Sequence, residues 1–104
     1  MALPESLKTS LSLPLVAAPM FLISGPEMAL ACCKQGIVGS FPALNQRTSE
    51  GFEDWLIQMN EELVAFRSTN PDVTTAPYAV NLIVHRTNHR WQADLELCVK
   101  HQVP

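Results

Sequence analysis

Apolar residues fall in short blocks along this chain, and the period changes from block to block. Leu13-Pro14-Leu15-Val16-Ala17-Ala18 is an apolar run without alternation, the pattern of a strand buried on both faces of a parallel sheet. Pro14 fits only near the start of such a strand. Ser24-Gly25-Pro26-Glu27 predicts a helix start: Ser24 or Gly25 caps, Pro26 suits the first helical position, and Glu27 sits at the positive helix end. Ala29, Cys32 and Cys33 give that helix an apolar face, and Gly36 stops it. Ile37-Val38-Gly39-Ser40-Phe41 predicts a second strand, followed by a loop with Pro42, Asn45 and Gln46. Thr48 or Ser49 caps a longer helix whose Phe52, Leu56, Met59, Leu63 and Phe66 recur at steps of four and three. Trp55 lies off this stripe, where it can meet a neighbouring helix. Asn70-Pro71 breaks the helix. The run from Pro77 to Val84 predicts a third strand. A last helix begins near Thr87 or Asn88, with Trp91, Leu95, Cys98 and Val99 as its expected inner face and Lys100 and His101 at its negative end.

The predicted order is β-α-β-α-β-α. It implies an α/β fold with parallel strands joined by right-handed crossovers. No internal repeat or low-complexity tract is visible. Residues 1–12 are polar and read as a short leader. At 104 residues the chain suits one domain. In a repeating βα pattern a fourth strand should begin near Val103-Pro104, and a complete (β/α)₈ barrel takes about 250 residues. The expectation is therefore a partial TIM barrel: 1–104 as the first three βα units, cut before the fourth strand. The inner face of its curved sheet would be bare and its edge strands unpaired.

Composition narrows the class. Charged residues make up 16% of the chain and apolar ones 47%, against about 25% charged in ordinary soluble domains. The net charge is -3, and the seven Lys and Arg are scattered, which argues against a nucleic-acid partner. Three cysteines, Cys32, Cys33 and Cys98, form neither a disulfide framework nor a zinc-ligand pattern; they read as small buried hydrophobes in a reducing compartment. The apolar run from Leu11 to Ile23 is interrupted by Pro14 and Pro19 and falls short of the ~20 residues that span a bilayer. No membrane segment is expected, and cytoplasm is the default location.

Three blocks carry a resemblance. They are Pro14-Leu15-Val16-Ala17-Ala18-Pro19-Met20-Phe21-Leu22-Ile23-Ser24-Gly25-Pro26-Glu27, then Gly36-Ile37-Val38-Gly39-Ser40-Phe41-Pro42-Ala43, then Tyr78-Ala79-Val80-Asn81-Leu82-Ile83-Val84-His85-Arg86-Thr87-Asn88. In this order and spacing they resemble the first three strands of the nitronate monooxygenases, from about Leu13 to the chain end. The resemblance implies FMN as cofactor in a (β/α)₈ barrel, and alkyl nitronate and O2 as substrates, giving carbonyl compounds and nitrite. It also implies that Ala18, Pro19 and Met20 lie against the flavin ring through backbone groups, and that Asn81 contacts FMN. Barrel sites do form at the C-terminal strand ends, and an asparagine in an apolar strand requires a partner if buried. From the residues alone, Pro19 can simply end a strand, Met20 fill core, and Asn81 bond a neighbouring loop.

His85 follows the third strand, where it can shuttle a proton or simply bond the loop. His89 and His101 read as helix-surface residues. Ser40 to Ala43 can shape a substrate pocket or form a plain loop. The family's catalytic base and phosphate loops would lie beyond residue 104. A flavin-type enoyl-(acyl-carrier-protein) reductase shares a similar first strand, so Ala18-Pro19-Met20 fits it too, whereas His85-Arg86-Thr87-Asn88 looks more like the monooxygenase side. A non-catalytic βα module that forms a homo-oligomer through its bare face is the alternative from another class. A nucleotide-binding domain is disfavoured, since neither a Gly-x-Gly-x-x-Gly nor a Walker loop occurs.

Overall fold

The computed structural model describes residues 3–104. Of the expected leader, residues 1–2 lie outside the described residues, and Glu5–Lys8 wind into a single helical turn, α1. The other elements are α2 (Pro26–Lys34), β1 (Gly39–Pro42), a 3-10 turn (Ala43–Asn45), α3 (Ser49–Thr69), β2 (Tyr78–Asn81) and α4 (Trp91–Lys100). β1 and β2 pair in parallel, from Gly39 opposite Tyr78 to Pro42 opposite Asn81. The radius of gyration, 13.7 Å, matches the ~13 Å of a folded unit of this length. The chain is a compact α/β domain with a small parallel sheet.

The first expected strand is reduced to one bridge, Val16 with Val38. Val38 donates to Leu15 O and accepts from Ala17 N–H, while Gly39 onward pairs with β2, so β1 runs between the two. Pro14 and Pro19 have no N–H to give, which limits the ladder on either side. Burial on both faces, the sequence expectation, is not found: Leu13, Leu15 and Val16 are all exposed. The third strand also stops early, at Asn81. Its ladder partner β1 ends at Pro42 and turns into the 3-10 turn, leaving Leu82, Ile83 and Val84 nothing to pair with.

The helix ends follow local chemistry. Pro26 opens α2 after Gly25. Gly36, at φ 82°, ends it in a Schellman motif, with Gly36 N–H to Cys33 O and Ile37 N–H to Cys32 O. Thr48 caps α3 by accepting from Gly51 N–H at 3.0 Å. α4 closes with the same Schellman pattern, Gln102 N–H to Val99 O and Val103 N–H to Cys98 O.

The core lies on one face of the sheet. Phe52, Leu56, Met59 and Leu63 bury the expected stripe of α3 against Ala29, Leu30 and Cys33 of α2 and Phe41 and Tyr78 of the strands. Phe41 is fully buried. It meets Trp55 edge-on at 5.4 Å, Phe52 edge-on at 6.5 Å, and stacks on Tyr78 at 6.3 Å. Trp55, off the stripe, thus packs on β1. α2 seats directly over Gly39, where a Cβ would lie 2.7 Å from Ala29 Cα and closer still to its carbonyl oxygen.

The inner face of α4 differs from expectation. Cys98 packs against the core as expected, but Leu95 and Val99 point outward, while Asp94 is fully buried and Leu97 packs inward. Asp94 turns inward because its partners are tertiary. Ser49 Oγ donates to Asp94 Oδ1 at 2.8 Å, Arg90 Nη2 lies 3.1 Å from Asp94 Oδ2, and Arg90 Nη1 donates to Gln46 O at 2.7 Å. Further along, Asn60 ties three elements: Tyr78 Oη donates to its Oδ1 and its Nδ2 donates to His101 O, both at 2.8 Å. Glu53 holds the end of α4, 2.6 Å from Lys100 Nζ and 2.7 Å from His101 Nε2. His101 is therefore a half-buried clasp and not the free surface residue expected.

Two consequences are measurable. Gly39→Ala should cost about 2–3 kcal/mol or more, as overpacking against backbone does; denaturant midpoints with an unchanged slope would read this. The Glu53 carboxyl is held below its ordinary value by the hydrogen bonds from Lys100 and then His101. A depressed carboxyl stabilises above its unfolded pKa of about 4.3 and loses that contribution as pH falls through the folded value. The stability advantage of the native chain over Glu53→Gln should therefore shrink on acidification below about pH 4.3, in paired denaturation curves.

Candidate functional site

Parallel strands place all their C-terminal ends at one rim. Here that rim carries Ala17 to Met20, the end of β1 and Asn81. Ser40 Oγ donates to Ala17 O across the first two segments. In β2, alternation sends Tyr78 and Val80 toward the core, with Leu82 just beyond its end packed there too, and Ala79 and Asn81 to the helix-free face. Asn81 is exposed, and its amide makes no hydrogen bond to the described residues. The expected demand for a buried partner does not arise, because solvent reaches it. Ala18 and Pro19 are exposed as well. The Ala18 N–H also has no partner among the described residues.

Met20 differs. Its N–H donates to Ser24 Oγ at 2.8 Å, and its carbonyl accepts from Ser24 N–H, Ile23 N–H and Asn45 Nδ2. Both its backbone groups are thus already used within the turn. Of the three residues expected to face a flavin through the backbone, Ala18 keeps its amide open, Pro19 has none, and Met20 has spent its own. The stretch Ser40 to Ala43 is buried throughout and serves the sheet and core.

His85 is exposed in the loop after β2. Its Nδ1 accepts from Thr87 N–H at 3.2 Å and lies 2.9 Å from Thr87 Oγ1. This is the loop-bonding role, with Nε2 left toward solvent. His89 is exposed. Two grooves, about 520 and 460 Å³, flank Arg67 at the opposite end of the strands, around Thr75. The rim itself is an open edge. Sequence reasoning read Ser24 only as a candidate helix cap and Asn45 only as a loop residue, and it missed Arg90 and Asp94; all four organise the loops at this end. Only the i, i+4 spacing of Arg90 and Asp94 was a visible signal.

The three thiols are free. Burial pushes Cys98 up to about 11 and also raises Cys33, so both stay protonated near neutrality and act as packing. Among the described residues no group of three His, Cys, Asp or Glu gathers as a metal site, and no helix is long and apolar enough to cross a membrane. Comparison with known protein families, with curated proteins and with solved structures finds no match to this chain.

Native Cys33 and Cys98 should resist iodoacetamide near the ordinary thiol pKa of about 8.5 and react once the chain is unfolded. Peptide mass mapping before and after denaturation would show it; rapid native labelling of either would contradict the packing role.

Proposed function

We propose that this chain forms one wall of an FMN site in a nitronate monooxygenase, an enzyme oxidising alkyl nitronates with O2. The observation that carries the reading is the rim. The Ala18 N–H and the Asn81 amide, neither bonded within the protein, stand at the C-terminal ends of parallel segments, where barrel enzymes build their sites. A flavin ring offers heteroatom acceptors and carbonyls along its edge, which suit a backbone donor and a carboxamide. When bound, FMN would supply acceptance of electrons from the nitronate and their delivery to oxygen. The chain's own part is to hold the ring: Ala18 as donor, Pro19 fixing the turn, Asn81 as a two-way hydrogen-bonding group. Met20 would contribute its side chain alone. The rim has no phosphate-binding loop among these residues, so the contact is to the ring.

The test is fluorescence titration of riboflavin and FMN with the chain. Both should bind with Kd within about threefold of each other, since the ring is the shared group. Asn81→Ala should weaken both about fivefold, the ~1 kcal/mol of a lost hydrogen bond. Binding of neither flavin would overturn the reading. The exposed Val16 on the uncovered face, with the exposed Phe21 and Ile23 in the adjoining turn, favours a second reading, self-association through that side. A concentration-dependent mass without flavin binding would put that reading first.

A further inference from the structure

We infer that Asn45 is the positioning residue of the rim: its carboxamide locks the Met20–Ser24 turn to the end of β1, and thereby sets where Ala18 and Pro19 stand. The inference rests, for its ligand arm, on the flavin reading above. Asn45 ends the 3-10 turn that follows β1. Its Oδ1 accepts from Leu22 N–H at 2.9 Å, and its Nδ2 donates to Met20 O at 2.9 Å and Ser24 O at 2.7 Å. Every one of these partners is backbone of a single turn, more than twenty residues earlier in the chain. A carboxamide has two donors and two acceptor positions, and three of the four are spent here.

The turn needs such a hold. Leu22 sits at φ 63°, a left-handed conformation that costs a non-glycine residue about 1–2 kcal/mol. Its side chain is 77% exposed, so burial returns little of that cost. Strained conformations persist only where the surroundings over-determine them. Besides Asn45, the fully internal bonds of Ser24 to Met20 contribute, but they close the turn on itself and do not fix it to the sheet. Ser24 Oγ also donates to Met28 Sδ of α2 at 4.0 Å, but Asn45 is the side chain that ties the turn to the end of β1.

The experiment is amide hydrogen exchange by NMR on the chain and on Asn45→Ala, together with riboflavin titration. Leu22 N–H should exchange at least about tenfold faster in the variant, equivalent to 1.4 kcal/mol, while the amides of Leu56 and Met59 in α3 keep their protection. Riboflavin should bind roughly tenfold more weakly, with its visible absorption band shifted less on binding. Asn45→Asp loses both donors and sets a carboxylate oxygen against Met20 O and Ser24 O, so it should likewise speed Leu22 exchange and weaken riboflavin, and unchanged Leu22 exchange in it too would overturn the inference. That variant also carries the test should the alanine form not fold. Unchanged Leu22 exchange in Asn45→Ala overturns the inference, as does an equal acceleration at Leu22 and in α3, which would mean loss of global stability only. If the native chain binds no riboflavin, the flavin reading falls, and the exchange data still decide whether Asn45 holds the turn.

Discussion

Phe41 is the contact on which the rest of this structure depends. It stands in the middle strand, on the face that α2 and α3 cover, and its ring meets Trp55, Phe52 and Tyr78 at once. Burying one aromatic side chain stabilises by about 1.5–3 kcal/mol from area alone, and the edge contacts add to it. To place the ring there, α2 must approach β1 closely, which is why Gly39 carries no side chain two residues earlier. In the observed parallel register Tyr78 lies opposite Gly39 and its ring stacks diagonally on Phe41.

All of this packing is on one side. The other face of the sheet carries Val16, Val38, Ser40, Ala79 and Asn81, with α1 and Arg67 near its lower end. Residues that the sequence pattern assigns to a doubly buried strand are exposed here because no layer covers them. The same asymmetry explains the early ends of both outer segments. A strand extends only as far as its neighbour pairs with it, and the segments on both sides of β1 have only β1 as a neighbour.

Two polar devices order the C-terminal rim where packing does not reach. Asn45 and Ser24 hold the turn after the first segment. Arg90, Asp94 and Ser49 hold the start of α4 to the start of α3, and Gln46 O joins them. Buried pairs of this kind contribute little net stability, yet breaking one partner is costly. Their effect is to fix loops relative to one another, which is what a shallow, open binding edge requires.

The sequence by itself determined the elements whose causes are local. The cap at Thr48, the proline at Pro26, the glycine at Gly36 and the apolar stripe of α3 act within a few residues, and each appears where its chemistry places it. The α/β class and the parallel pairing of the second and third expected strands were legible too, from the alternation of apolar runs and helices, although the first strand did not form beyond one bridge. That Asn81 ends the strand was not legible, since the apolar run continues to Val84 and only the missing ladder partner stops β2 there. Tertiary structure alone decided the extent of the strands, the burial of Asp94 and the hold of Asn45 on a distant turn. It also decided that Met20 spends its backbone groups internally. Each of these depends on groups brought together from far along the chain, and hydrophobic periodicity records only which way a side chain faces, not what is there to meet it.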